Sequence, residues 1–398
     1  MSTTTKINFD QLEHAFAFRT DYEIRRAYWL FKAIGYPSVV KIGSQITQIA
    51  LKYHLPIKGI IRNTIYKHFC GGENIQECSK TIKRLGELGV GSILDYSVEG
   101  KEDELEFDHS CEEIIATVKR ANGDPNIPFS VFKVTGLARF ALLEKVSNDE
   151  KLNSEEAAEF SRVKERVRRI CEEGYRLKVS VFIDAEESWI QVAIDNLATE
   201  MMEKFNREQF IVYNTIQMYR HDRLQFLKEA HYKSTEGKYL LGMKIVRGAY
   251  MEKERDRAIE HRYTSPIQAS KSACDHDYNE ALRFCLENIQ TIAICAGTHN
   301  ENSCLLLAEL MKEKSISPSD KRVYFSQLLG MSDHISFNLS HAGYNVAKYV
   351  PYGPVADVLP YLTRRAQENT SIAGQMSREL SLLTAEMKRR KELKKDKK

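Results

Sequence analysis

From about residue 88 the chain settles into a rhythm that few architectures accommodate. Short apolar, β-branched runs alternate with longer amphipathic stretches. The runs are Gly91–Tyr96, Phe129–Val134, Val179–Asp184, Ile211–Gln217, Leu240–Val246, Thr291–Cys295, Val323–Gln327 and Tyr344–Tyr349. Between them, Ser154–Glu173, Glu187–Phe205, Arg220–Lys233, Asp277–Glu287 and Asn302–Lys312 carry apolar residues every three to four positions, the helical period. Eight strands alternating with helices over roughly 250 residues predict an α/β fold, a distorted (β/α)8 TIM-like barrel. The competing open doubly wound sheet would carry a G-x-G-x-x-G turn after its first strand, and none is present.

Residues 1–85 read differently. Tyr22–Ile34, Val39–Lys52 and Ile57–Phe69 have helical periodicity, with Pro37 and Pro56 as punctuation. They predict a helical N-terminal region, an arm on the main body or on a second subunit. The barrel then occupies 86–375. A basic C-terminal tail, 376–398, contains Lys388, Arg389, Arg390, Lys391, Lys394, Lys395, Lys397 and Lys398. Such a run reads as a solvated segment, or more sharply as peripheral contact with an anionic membrane surface.

Composition excludes several function classes. A net charge of +3 gives no field for nucleic acid. No window is apolar enough for a membrane span, and no basic region followed by an apolar block suggests a secretory signal. Asp10, Glu13, Asp21 and Glu23 argue against a transit peptide. The eight cysteines lack C-x-x-C spacing, so they read as reduced thiols of a cytoplasmic protein, with no metal site.

In a (β/α)8 barrel the chemistry lies at the C-terminal ends of the strands. Asp95, Lys133, Asp184, Gln217, Lys244, Arg247, Thr298, His299, Asn300, Gln327, Leu328 and Tyr349 fall there. Lys133, Asp184 and Lys244 sit within or beside very apolar runs, where an unpaired charge is too costly to keep. Salt bridges closing the barrel would explain any one of them. They explain less well a whole set gathered at one rim. The Gly248-Ala249 pair leaves backbone N–H groups open to a phosphate or a flat ring. No H-E-x-x-H, Walker loop or nucleophile elbow is present, which disfavours a hydrolase or kinase.

Beyond the last strand, Val355–Leu362 leads as a helix into Arg364-Arg365, with Tyr361 and Glu368 three to four residues away on the same face. Paired guanidinium forks would hold a small carboxylic acid, although an isolated Arg-Arg pair is ordinarily a solvated surface feature. Pro360 lies inside this stretch and predicts a kink just before the arginines.

Taken together, Ile183-Asp184-Ala185-Glu186-Glu187, Val246-Arg247-Gly248-Ala249-Tyr250, Thr298-His299-Asn300, Gly330-Met331 and Tyr361-Leu362-x-Arg364-Arg365-x-x-Glu368-Asn369 resemble the proline dehydrogenase family. The resemblance implies FAD at the strand C-termini and a final helix over the barrel mouth. It implies hydride transfer from L-proline to the flavin, giving pyrroline-5-carboxylate, with electrons passed to a quinone or other membrane acceptor. Lys133, Leu328, Tyr349, Tyr361, Arg364 and Arg365 would bind the substrate, and Lys244 and Asp184 would be catalytic. Gln217, Lys244, Val246, Arg247, Gly248, Ala249, Lys271, Thr298, His299, Asn300 and Glu368 would contact the cofactor. Lys244 replaces an arginine found in many bacterial members, and Met251 a tryptophan of bifunctional ones. With no aldehyde dehydrogenase region after residue 375, a monofunctional enzyme is expected. It would be cytoplasmic or peripheral on the inner membrane, with its oligomeric state open. The same chemistry on hydroxyproline and a non-catalytic barrel scaffold are the alternatives.

Overall fold

The structure, a computed structural model, describes residues 7–36, 38, 58–98, 102–371 and 375–396, with backbone only at 367–371, 375 and 376. Pro37, Pro56 and the expected helix Val39–Lys52 lie outside the described residues. The barrel closes in sequence order from β1 to β8, every neighbouring pair parallel. The strands are β1 (Val90–Tyr96), β2 (Phe129–Phe132), β3 (Ser180–Ile183), β4 (Val212–Gln217), β5 (Leu241–Val246), β6 (Ile292–Gly297), β7 (Val323–Leu328) and β8 (Val346–Tyr352). Each overlaps its sequence-derived run. Lys133 and Asp184 lie one residue beyond β2 and β3, and Tyr349 lies inside β8 rather than at its end.

Strand alternation separates two apolar layers. Ile93, Phe129, Val131, Phe182, Tyr213, Ala293, Cys295, Ala347 and Tyr349 fill the barrel interior, where Phe129 and Phe182 stack at 4.2 Å. The opposite set, including Leu94, Met243, Ile245 and Ile294, packs under the helices. Gly242 is required by this arrangement: a Cβ there would meet the Val212 carbonyl oxygen at 2.4 Å and the Tyr213 ring at 2.8 Å.

The arginine helix spans Leu359–Ser371, so Val355–Val358 form a turn before it. Pro360 is then the second helical residue. Its missing N–H falls among the first-turn donors that have no intrahelical acceptor, so the expected kink has no cause there.

The helix is not the final one. The stretch read as a basic tail forms a helix, Gln375–Lys395. It buries Leu382 and Leu383 in a cluster with Ile24, Phe31, Tyr361 and Leu362. The fully buried Glu386 carboxylate accepts from Arg389 and Arg390 at 2.6–2.7 Å, Arg390 reaches Asp21 at 2.8 Å, and Lys394 pairs with Asp21. The charge run therefore has partners on the helix Asp21–Ile34, which composition alone does not reveal.

Both arms converge on the loop after β7. Arg19 binds Asp333 at 2.6 Å, His68 Nε2 lies 2.9 Å from the Gly330 carbonyl, and Glu379 accepts the Ser332 N–H at 2.6 Å. Lys348, fully buried on the outward side of β8, pairs with Asp333 at 2.9 Å and donates to the Met331 carbonyl at 2.7 Å. Burial alone would raise the Asp333 pKa, but Arg19 and Lys348 hold it well below the carboxylate range. Arg19→Ala leaves Asp333 with one of these two cations. The substitution is expected to lower the unfolding free energy by about 1–3 kcal/mol, read as a lower urea midpoint at unchanged m-value.

Candidate active site

At the C-terminal end of the barrel, period-2 alternation turns Lys244 of β5 and Tyr349 of β8 inward, while Asp184 follows β3. Three side chains meet there. The Lys244 ammonium donates to both the Asp184 carboxylate and the Tyr349 hydroxyl, and that hydroxyl lies 3.3 Å from the same carboxylate oxygen. Lys133, arriving from β2, stands 3.6 Å from the other Asp184 oxygen and 3.8 Å from Asp95. Asp95 also accepts from the Ser97 hydroxyl at 2.7 Å.

All of these groups but Lys133, which is partly exposed, are buried. Burial opposes the Asp184 charge, yet the two ammonium groups outweigh it and keep its pKa below the ordinary value. Burial, and then the negative Asp184 beside it, drive the Tyr349 phenol well above its usual range, so it remains a neutral donor.

The helix Leu359–Ser371 contributes Tyr361 and Arg365, both buried, and the half-buried Arg364. Tyr361 and Leu362 pack in the cluster that contains Met331 and contacts Leu328 at the end of β7. The Arg364 guanidinium lies 5.9 Å from the Tyr250 ring centroid after β5, and that of Arg365 5.2 Å from the Tyr361 ring. Arg365 is also near enough to His299 to act on its titration. The arginine pair thus sits over the ends of β5 to β7, not in bulk water. Glu368 lies outside the described side chains.

The expected cofactor residues occupy the ends of β4 to β6. Gln217 is buried and donates to the Glu186 carbonyl at 2.7 Å. Val246 is partly buried at the end of β5, and Gly248 and Ala249 are exposed just beyond it. Gly248 adopts φ +134°, and a Cβ would strike the Tyr219 ring at 2.5 Å. Arg247 reaches Asp275, Thr298 and Ser303 at 2.6–2.9 Å, and Lys271 pairs with the same Asp275. Asn300 caps the helix Glu301–Glu313 through the Ser303 N–H. Arg247 and Asn300 therefore already have protein partners. His299 Nδ1 lies 2.9 Å from the Ser332 hydroxyl. Burial, then the charges of Lys348 and Arg365, lower its pKa to about 3, so its ring is neutral.

Sequence reasoning missed three participants. Glu186 stood in the Ile183–Glu187 motif without an assigned role. It is buried, and its carboxylate is held by the Thr135 N–H at 3.0 Å and the Thr135 hydroxyl. Tyr250 stood in the Val246–Tyr250 motif without an assigned role, and Ser332 had no signal beyond adjacency to Gly330-Met331. Among the described residues no cluster of metal-ligating side chains occurs.

The chain matches the family model described as "Proline dehydrogenase" over residues 78–378. It is 35% identical over 330 residues to the carbapenem antibiotics biosynthesis protein CarD of Pectobacterium carotovorum subsp. carotovorum, covering 82% of this chain and 84% of that one. It is 35% identical over 379 residues to mitochondrial proline dehydrogenase 1 of Dictyostelium discoideum, covering 84% of this chain and 66% of that protein's length. The fold is similar to that of proline utilization A from Bdellovibrio bacteriovorus, with TM-score 0.71 and 19% identity. That likeness covers 93% of this chain but 40% of the other.

Glu186 generates a pH prediction. Burial, and then the charge of Glu187, push its pKa from 4.5 up to about 7. Between those values the folded state binds more protons than the unfolded one, so this group's contribution falls as pH rises. Glu186→Gln is expected to gain roughly 2 kcal/mol on the parent between pH 5 and pH 8, measured by urea unfolding at both pH values.

Proposed function

Because the chain belongs to the proline dehydrogenase family, we propose that it oxidises L-proline at the carbon–nitrogen bond to pyrroline-5-carboxylate, the first step of proline catabolism. FAD is the proposed cofactor, and a quinone the proposed electron acceptor. The observation that carries this reading is the placement of Arg364 and Arg365 over the same rim as the Lys244–Asp184–Tyr349 cluster. A pair of guanidinium forks above a charge-balanced, phenol-lined floor suits a small ring that bears a carboxylate.

The residues present fit an anionic dinucleotide. Backbone N–H groups after β5 are open at Gly248 and Ala249, and Gln217, Thr298 and His299 offer neutral polar atoms nearby. The Tyr219 hydroxyl and Arg220 Nη1, beyond β4, are buried polar atoms with no hydrogen-bond partner among the described residues. Gln217, Lys244, Val246, Gly248, Ala249, Thr298, His299, Asn300 and Glu368 would hold the flavin end, with Arg247 and Lys271 toward the phosphates. When bound, the flavin supplies the hydride acceptor.

The protein's own residues then position and discriminate. Arg364, Arg365 and Lys133 grip the substrate carboxylate, which fixes the ring's orientation. Tyr349, Tyr361 and Leu328 wall the ring and keep water from it. Asp184 holds Lys244 and Tyr349 in one geometry, so that their donors converge on the reacting side. The amine loses its proton to solvent before reaction.

Purified protein is expected to be yellow, and its flavin absorbance to bleach on titration with L-proline. A colourless preparation, or one bleached only by trans-4-hydroxy-L-proline, would reassign the substrate or the activity. Arg365→Met is expected to raise KM by on the order of a hundredfold, from loss of a charge-assisted bidentate contact, while leaving flavin content unchanged. Steady-state kinetics and the flavin-to-protein absorbance ratio check both parts.

A further inference from the structure

Ser332 is held in a conformation that serine does not favour. It occupies the N-cap position of the helix Asp333–His341, where a serine ordinarily has extended dihedrals and its hydroxyl accepts a first-turn N–H. Here φ is +49° and ψ +43°, the left-handed region that a residue with a Cβ rarely adopts, and the hydroxyl caps nothing. A residue in such a state persists where its surroundings over-determine it. Those of Ser332 do. Its N–H donates to Glu379 Oε1 at 2.6 Å, and its carbonyl accepts the Ile335 and Ser336 N–H groups at 3.0 and 3.1 Å. The hydroxyl, released from capping, lies 2.9 Å from His299 Nδ1.

This hydrogen bond has a direction. Ser332 is 1% exposed, and among the described residues its hydroxyl has no partner but Nδ1. If Nδ1 carried the ring proton and donated it, the hydroxyl hydrogen would be buried without an acceptor, which is the costly state. With the hydroxyl donating, its hydrogen is satisfied and Nδ1 is the acceptor. The His299 ring is neutral, because burial and the cations Lys348 and Arg365 oppose its charge. Its one exchangeable proton therefore lies on Nε2, the tautomer being set by the bond that the other nitrogen makes. Among the described residues Nε2 has no hydrogen-bond partner, so its donor is left for a bound group.

We propose that Ser332 is a positioning residue: its hydroxyl fixes His299 as the Nε2–H tautomer, so that this nitrogen is a permanent donor to an acceptor atom of the bound cofactor. The cofactor clause rests on the oxidation reading, and the tautomer assignment does not. Glu379 belongs to the helix Gln375–Lys395. Through the Ser332 N–H, the C-terminal segment thus helps to decide which nitrogen of a ring at the barrel mouth carries a proton.

The test is nitrogen NMR of the whole chain, as purified, with isotope-labelled histidine. His299→Gln identifies the His299 signals among those of the 11 histidines. In the parent, Nδ1 is expected to resonate as an unprotonated nitrogen and Nε2 as a protonated one. Ser332→Gly removes the hydroxyl at a position whose left-handed dihedrals suit glycine, so this variant is compatible with the fold. It is expected to bring the two nitrogen shifts together, through exchange between tautomers, and to release flavin on dilution on the order of fivefold more readily. A purely structural role would lower the urea midpoint and leave the nitrogen shifts where they are. Three results would overturn the proposal: a flavin-loaded parent with the proton on Nδ1; Ser332→Gly with the parent's shifts; or Ser332→Gly with altered shifts and the parent's flavin retention. A colourless parent that still shows the Nε2–H pattern would instead overturn the oxidation reading, and the cofactor clause with it, while the tautomer assignment stood.

Discussion

One buried carboxylate organises the mouth of this barrel. Asp184 is shared between Lys244 and Lys133, and the Tyr349 hydroxyl closes the triangle. In a low-dielectric site each of these charges would be prohibitive alone, so they persist only as a set. The set balances internally, because Asp95 supplies a second carboxylate for the two ammonium groups. Asp184 is therefore neutralised at the strand ends themselves, by Lys244 and Lys133. A floor of this kind carries its own counter-charges and does not depend on a bound anion for its stability.

A second ionic cluster, behind the first, determines where the roof sits. Lys348 and Tyr349 are neighbours on β8, but the pleat sends one outward and one inward. Lys348 fastens the loop after β7 through Asp333, the Met331 carbonyl and the Leu328 carbonyl. That loop in turn receives Arg19 and His68 from the N-terminal arm and Glu379 from the C-terminal helix, and returns a hydrogen-bond partner to His299 through Ser332. The strand pleat thereby links the chemistry at the barrel mouth to elements more than 300 residues apart in sequence, as the separation of 314 between Arg19 and Asp333 illustrates.

Legibility from sequence followed the range of the interactions. Strand positions were readable to within about three residues because local composition and period set them. The rule that a charge within an apolar run needs a partner picked out Lys133, Asp184 and Lys244. It applied equally to Lys348, but a run of residues does not say which face of the sheet a side chain takes. Glu186 was named within a motif but given no role, because nothing local says that a Glu-Glu pair is buried until Thr135 is brought against it. The C-terminal segment was misread from its charge count, although Leu380, Leu383 and Met387 carry helical spacing. Its partners Asp21 and Glu13 lie at the other end of the chain. Pro360 was read as a kink because the helix start was placed four residues too early.

The clasp between Asp21 and the pair Arg390 and Lys394 has a bearing on biogenesis. A ribosome delivers the N-terminal arm before its fastening, with the barrel in between. The apolar face of that arm, with Ile24, Phe31 and Ile34, stays incompletely covered through the synthesis of the barrel until the helix Gln375–Lys395 emerges to pack on it. The interval is one in which a nascent chain is open to proteases and chaperones. Any change that slows synthesis of the helix Gln375–Lys395 would lengthen that exposure without touching the finished fold.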